Sequence, residues 1–300
     1  MNRKVVEAAG KRLSLSNLKK DLYPSYGFTK AHVLEYYRRT ADFILPHLKD
    51  RALTLKRYPD GTEKDFFFEK RCPAHRPAWV KTAEVRHHGE RMTVCLVNDL
   101  ETLIWVENLA SIELHVPLSR AGSPDTPDSM VFDLDPGDQA GILDCAGVAL
   151  ILRDLLSEMN LASYVKTSGK KGLHVYVPLN REETTFADTK KFSKAAAEVL
   201  QRNYPDLMTA KMAKEHREKK VFINWSQNDS SKTMICVYSL RAREKPAVSF
   251  PLEWEELENL SRQGDPEKFL IVHSEAVIRV EKNGDLFHEV LMKKQKLPHL

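Results

Sequence analysis

No stretch of about 18 consecutive apolar residues occurs in this 300-residue chain, so it carries no ordinary membrane-spanning helix. The opening residues, Met1-Asn2-Arg3-Lys4-Val5-Val6-Glu7, have no apolar core for a signal peptide. Cysteine is scarce. Cys72, Cys95, Cys145 and Cys236 are far apart and form no C-x-x-C pair, which argues against a disulfide framework or a zinc site and fits a reducing cytoplasm. A Walker A order, G-x-x-x-x-G-K-[ST], is missing. Internal repeats and low-complexity linkers are absent too. The charge excess is only +4 at a pI near 8.7, so net charge alone says little about nucleic acid. What remains is ordinary globular composition, 42% hydrophobic and 29% charged. That composition and length suit one large domain or two closely packed halves, and 1–300 is taken as a single domain with 1–12 a flexible or extended N-terminal segment.

The informative stretch is Ser129-Met130-Val131-Phe132-Asp133-Leu134-Asp135-Pro136-Gly137, a short strand stopped by Pro and Gly. Alternation puts Asp133 and Asp135 on one face and Phe132 and Leu134 on the other. Paired carboxylates repel unless a cation sits between them. Mg²⁺ or Mn²⁺ does this, with carboxylates on one side and substrate phosphates on the other. The bland alternative is two exposed aspartates before a turn.

The second signal is Ser168-Gly169-Lys170-Lys171-Gly172, a tight loop between the strands Ser163–Thr167 and Leu173–Pro178. Its glycines let the backbone approach an anion, Ser168 and loop amides donate hydrogen bonds, and Lys170 or Lys171 supplies charge. His174 alternates away from Leu173 and Val175, so it can face a site. Earlier in the chain, Thr54–Arg57 leads into the turn Pro59-Asp60-Gly61. Three phenylalanines follow, Phe66-Phe67-Phe68, bracketed by basic residues. On a strand at least one must lie on each face, so core packing and a stacking platform for bases are both open. Glu113 and His115 share a face of the strand 110–118. Lys20 and Lys30 flank the Tyr23-Pro24 turn, and Thr29 reads as the N-cap of a helix over 29–41. Further helices are expected over about twenty residues after Pro136, over 188–203 and 251–262, and toward the C-terminus. Strands are expected at 221–229 and 234–241. The basic run 211–220, which includes Arg217, reads as a solvated helix face.

These pieces resemble, in order, the polymerase domain of bacterial and archaeal ligase D, within the archaeo-eukaryotic primase superfamily. The matching stretches are Leu15-Ser16-Asn17-Leu18 through Tyr23-Pro24, Lys56–Gly61, Phe67-Phe68, Phe132–Pro136, Ser168–His174, Trp225–Asn228 and Tyr238–Arg241. The resemblance implies an α+β fold with a primase-like core: an RRM-like antiparallel sheet, a second sheet, flanking helices and an active site between the sheets. It implies a template-directed nucleotidyltransferase that fills gaps and extends ends in non-homologous end joining of DNA double-strand breaks. Two divalent ions, Mn²⁺ or Mg²⁺, would be held at Asp133 and Asp135. Lys56, Phe67, Phe68, His115, Ser168, Lys171, Gln227 and Arg241 would bind the nucleotide, and Lys20 and Lys30 the 5′-phosphate of a DNA end. His174 and Arg217 are further site candidates. Implied partners are gapped or overhanging duplexes, nucleoside triphosphates with ribonucleotides preferred, a Ku-like end-binding protein and a separate ligase, in a prokaryotic cytoplasm at the nucleoid.

One position departs from the pattern. The family carries a third metal-binding aspartate before Trp-Ser-Gln-Asn, and here it is Asn224, which offers a neutral carbonyl in place of a charge. The alternative reading is therefore a catalytically weakened end-binding or synapsis module. A metal-dependent nuclease is a second rival, disfavoured by the triphosphate-type loop and Arg241.

Overall fold

The computed structural model describes residues 3–87 and 89–298. The chain is α+β and divides into two compact units, each assembled from three separated stretches. The first comprises the chain up to Gly122 with Thr233–Val248 and Val272–Gly284; the second comprises Ser123–Lys232, Ser249–Ile271 and Asp285 onward. Among the described residues no helix is long and apolar enough to cross a membrane.

The second unit is built on a six-stranded sheet in the order Met208–Thr209, Val221–Asn224, Ser129–Pro136, Leu173–Pro178, Tyr164–Thr167, Pro251–Leu252. All neighbours are antiparallel except the first pair. Met130, Phe132 and Leu134 pack into a core with Cys145, Val148 and Leu152 of the helix Ile142–Glu158 and with Phe192, Ala196 and Leu200 of the helix Phe186–Asn203. Alternation then leaves Val131, Asp133 and Asp135 on the other face of the same strand. A single buried side chain, Asn228, secures this strand: Val131 N–H donates to its Oδ1 at 2.9 Å, and its Nδ2 donates to Val131 O at 2.7 Å and to Ser193 Oγ at 3.0 Å.

The first unit holds a four-stranded antiparallel sheet in the order Met234–Ile235, Ser111–Val116, Thr54–Arg57, Phe67–Glu69. The helix Lys30–Arg39 starts where Thr29 accepts from His32 N–H. Its Val33, Tyr36 and Tyr37 are buried, and the Tyr37 hydroxyl donates to Ile112 O at 2.9 Å. Of the segment expected to be flexible or extended, residues 1 and 2 lie outside the described part; Arg3–Ala8 pairs antiparallel with Lys11–Ser16.

Several expectations are corrected. Residues 234–241 are not one strand: Tyr238 sits at φ +64° and breaks them into Met234–Ile235 and Leu240–Arg241, with Ser239 N–H closing a turn onto Cys236 O at 3.2 Å. The strand from Val221 stops at Asn224, where a 3-10 turn over Trp225–Gln227 begins. The run 211–220 is no helix face; it holds one 3-10 turn, Lys214–His216. Cys72 and Cys95 form a disulfide, because the hairpin Thr82–His87 and Glu90–Cys95 carries Thr93 O to within 2.8 Å of Cys72 N. Distance along the chain had concealed that pairing.

Removing the Asn228 side chain would orphan Val131 N–H and C=O in a dry interior. Asn228→Ala is expected to destabilise by about 1–3 kcal/mol and to lower the melting temperature by several degrees, roughly 2–4 °C per kcal/mol for a chain of this size. Calorimetric unfolding unchanged from wild type would refute this role.

Candidate active site

The register of the large sheet lines up polar residues across four neighbouring strands. Asn224 pairs with Asp133, Asp133 with His174, and His174 with Lys166. Asp133 is buried and accepts from several directions: Asn224 Nδ2 at 3.2 Å and Gln227 Nε2 at 3.1 Å on Oδ2, with His174 Nε2 3.3 Å from Oδ1. Burial alone would raise its pKa, but the hydrogen bonds and charge of His174, then Gln227 and Asn224, outweigh burial and hold the carboxyl below the ordinary range. Asp135, exposed at the strand end, behaves oppositely. Partial desolvation, then the charge of Asp133, push it up to about 7, against the pull of the Arg217 guanidinium. Two carboxylates on one face with too little positive charge between them have just this signature.

The loop Ser168–Gly172 abuts this pair. A Cβ on Gly172 would lie 2.1 Å from Leu134 O, the carbonyl between the two aspartates, so only glycine permits that approach. Gly169 takes φ +68°. Contrary to the expectation that the loop amides are free donors, the N–H groups of Lys170 and Gly172 both point at Ser168 Oγ, each at 3.2 Å. Lys170 and Lys171 are both exposed. Arg217 is placed beside Asp135 by stacking on the Phe222 ring, 3.7 Å from its centroid, and by donating to Met212 O. Gly137 makes that approach possible, since a Cβ there would collide with Arg217 O.

Asn224 has a defined polarity. Lys232 Nζ donates to Ser226 Oγ at 2.8 Å, and Ser226 donates its own proton to Asn224 Oδ1 at 2.7 Å. The amide therefore turns its N–H₂ edge, not its carbonyl, toward Asp133. Asp229 cannot replace the missing carboxylate, because Lys190 and Ser231 hold it at 2.7 Å each. Asp133 and Asp135 suit one divalent cation. The third corner presents a donor and does not suit a second, and among the described residues no group of three or more His, Cys, Asp or Glu could hold a metal.

In the first unit the expected nucleotide residues gather on Glu113, a buried carboxylate that the sequence reading had only placed on His115's face. His115 Nε2 lies 3.0 Å from Glu113 Oε2, Arg241 Nη1 3.4 Å from the same oxygen, and Lys56 Nζ 4.0 Å from Oε1. Burial lowers the His115 pKa, Glu113 opposes it, and the Arg241 and Lys56 charges add to the lowering. None of the three phenylalanines is core: Phe66, Phe67 and Phe68 are 49%, 44% and 55% exposed. Lys56 Nζ sits 3.8 Å from the Phe66 centroid, the Arg57 guanidinium 5.0 Å from that of Phe67, and Phe68 packs edge-on to His115 at 5.9 Å.

Lys20 and Lys30 are joined through their backbones, Lys30 N–H donating to Lys20 O at 2.8 Å. The Lys20 ammonium reaches Asp60 at 2.6 Å. Lys30 is buried, and desolvation, then the charges of Arg57 and Lys20, push it down to about 8. A buried lysine crowded by other cations is a site short of negative charge.

Residues that sequence reasoning missed are Glu113, Lys166, Ser226, Asn228 and Lys232. Ser226 and Asn228 lie inside the Trp225–Asn228 motif with no role attached to them; the signal for the others was strand alternation or nearness to a motif.

The family described as "LigD, primase-polymerase domain" matches residues 29–287. A multifunctional non-homologous end joining protein LigD of Mycolicibacterium smegmatis is 38% identical over 92% of this chain, which covers 35% of that protein. The bifunctional LigD of Bacillus subtilis is 32% identical over 96% of the chain and 45% of that protein. The chain thus spans between about a third and a half of these relatives' length. A solved structure, the polymerase domain from Mycobacterium tuberculosis ligase D in complex with DNA, superposes with a TM-score of 0.87 at 36% identity, covering 95% of this chain and 99% of the other. With a match over most of its length, the chain belongs to the LigD primase-polymerase domain family.

Proposed function

We propose that this chain is a template-directed nucleotidyltransferase that extends or fills DNA ends during non-homologous end joining, weakened by Asn224. The observation that carries this reading is the seating of the Ser168–Gly172 loop on the peptide between Asp133 and Asp135. It joins a carboxylate pair to a serine–lysine anion loop, the combination that phosphoryl transfer from a triphosphate requires. The similar ligase D structure contains DNA, which supports a DNA end as the other substrate. Polymerase-type domains use divalent metal, and Mn²⁺ or Mg²⁺ is the ion class suited to the two aspartates. Such an ion would neutralise developing phosphate charge.

The chain's own residues supply the rest. Asp133, held ionised by its donors, and Asp135 would bind the cation. In the second unit Ser168 O–H and Lys171 would receive the triphosphate; in the first unit Arg241 of the Glu113 cluster is a nucleotide-binding candidate. Gln227 donates to Asp133, so its first duty is to orient that carboxylate. Phe67 and Phe68 would stack on bases, and His115 would sit at the sugar. Lys20 and Lys30 would take the 5′-phosphate. A Ku-like end-binding protein and a separate ligase, in a prokaryotic cytoplasm at the nucleoid, complete the proposed setting. A second reading, an end-binding module without turnover, is favoured by one observation: the Asn224 amide turns a donor toward Asp133. Extension of a gapped duplex with Mn²⁺ tests both readings. Binding without extension would support the module.

Three outcomes are expected. Asn224→Asp should raise the single-turnover extension rate in Mn²⁺ by roughly 100-fold, about 3 kcal/mol in the barrier, with little change in triphosphate affinity. Equal rates would show that position 224 is not the third corner. Gapped DNA should bind more tightly with a 5′-phosphate than with a 5′-hydroxyl. The difference, on the order of 1–3 kcal/mol, should vanish in Lys20→Ala/Lys30→Ala. A bound phosphate favours the charged lysine, so the preference should be full below pH 8 and fade as pH rises through the folded Lys30 value of about 8. A preference that grows between about pH 7 and 9, where the phosphate is already doubly ionised, would contradict this. Finally, ribonucleoside triphosphates should bind more tightly than their deoxy counterparts, with the gap closing in His115→Ala. An unchanged ratio would assign sugar reading elsewhere.

A further inference from the structure

Glu113 is 1% exposed, and the proposed reaction gives it no task. Its Oε1 accepts from Ala242 N–H at 3.1 Å, with Lys56 Nζ 4.0 Å away. Its Oε2 faces two groups, His115 Nε2 at 3.0 Å and Arg241 Nη1 at 3.4 Å. All of these residues belong to the first unit. Among the described residues no other hydrogen bond reaches the His115 ring, so its Nδ1 is unpaired. We propose that Glu113 is a positioning residue that sets sugar specificity: it accepts from His115 Nε2–H and so leaves Nδ1 a fixed acceptor for the 2′-hydroxyl of a ribonucleotide. This inference rests on the proposed placement of His115 at the sugar.

Hydrogen-bond direction assigns the roles. A lysine, an arginine and a backbone N–H converge on Glu113, and each can only donate. Such surroundings favour the carboxylate, whose oxygens only accept. The nitrogen that meets it must therefore carry a proton. Burial lowers the His115 pKa; Glu113 opposes this, and the Arg241 and Lys56 charges add to the lowering, so the ring is neutral near neutral pH. A neutral ring with its proton on Nε2 keeps a lone pair on Nδ1. Strand geometry fixes the set: residues 113 and 115 share a face of Ser111–Val116, and Lys56 is the cross-strand partner of Glu113. Without Glu113 the ring could protonate at either nitrogen and meet a hydroxyl in either sense. With it, the ring asks for a donor. A ribose 2′-hydroxyl supplies one, whereas a deoxyribose leaves the lone pair unanswered once the nucleotide excludes water.

The test begins on the wild-type chain. In protein labelled with ¹⁵N-histidine, two-bond proton–nitrogen correlations at neutral pH should show His115 protonated at Nε2 and bare at Nδ1. The signal is assigned by its loss in His115→Gln. Adding ATP with Mg²⁺ should move the Nδ1 resonance, and dATP should leave it in place. A ring protonated at Nδ1 or averaging between the two forms, or an Nδ1 resonance that ATP does not move, would overturn the proposal. Glu113→Met removes the acceptor. The ratio of ATP to dATP affinity should then fall by about tenfold, the worth of one hydrogen bond. A purely structural role would weaken both nucleotides by one factor and leave the ratio unchanged; that result in a folded Glu113→Met protein would also overturn the proposal. If the variant does not fold, the wild-type spectra still decide. Equal wild-type affinity for ATP and dATP, with the ring in the Nε2–H form, would locate the failure elsewhere: His115 would not be at the sugar, and the specificity role would fall with that placement.

Discussion

Keeping one buried carboxylate ionised is the constraint on which the second unit's site depends. Asp133 sits inside a sheet, where a bare negative charge would protonate or unfold its surroundings. The sheet meets the problem by register: Asn224 and His174 stand opposite Asp133 on the two neighbouring strands, and Gln227 follows from the turn after Asn224. The same solution is used in the first unit, where Glu113 is enclosed by Lys56, His115 and Arg241. In each unit a buried anion organises cationic or donating side chains into fixed positions before any ligand arrives. That is preorganisation in the electrostatic sense, since groups already oriented need not reorganise when phosphate charge develops.

The direction of the hydrogen bonds matters as much as their number. Lys232 can only donate, so Ser226 donates onward to Asn224, and the amide must offer N–H to Asp133. An aspartate at 224 would accept from Ser226 through one oxygen and leave the other as an anionic ligand. The effect of Asn is therefore larger than a lost charge: it reverses the polarity of one corner. With Asp135 pushed up to about 7 by desolvation and by Asp133, the remaining pair keeps a strong electrostatic demand for one cation.

Much of this was legible in the sequence because strands alternate. The Asp133/Asp135 face, the loop after Thr167, the Thr29 cap and the helices after Pro136 and over 188–203 all followed from period and turn chemistry. What stayed hidden was long-range. Nothing local reveals that Asn228 reaches back to Val131 or that Cys72 meets Cys95. Glu113 looked like one polar residue on an alternating strand; its importance appears only when Lys56 and Arg241 converge on it from elsewhere in the chain. The phenylalanine run was ambiguous for a different reason. Alternation demands that one side of a strand be covered, but Phe67–Glu69 is an edge strand of three residues, and an edge has too few neighbours to cover either face.

That exposure bears on function. Three adjacent aromatic rings left about half in water forgo burial that would otherwise stabilise the unit. Lys56 lies over Phe66 and Arg57 over Phe67, so cations already occupy part of the ring faces. A purely apolar protein partner would have to desolvate those charges to reach the rings, an unfavourable exchange. A nucleic acid would not. Its bases cover aromatic faces by stacking while its phosphates accept the lysine and arginine charges, so both halves of the surface gain in one contact. Aromatic exposure and cationic bracketing together would suit a ligand that is flat, apolar on its faces and anionic along its edge, as the proposed function requires.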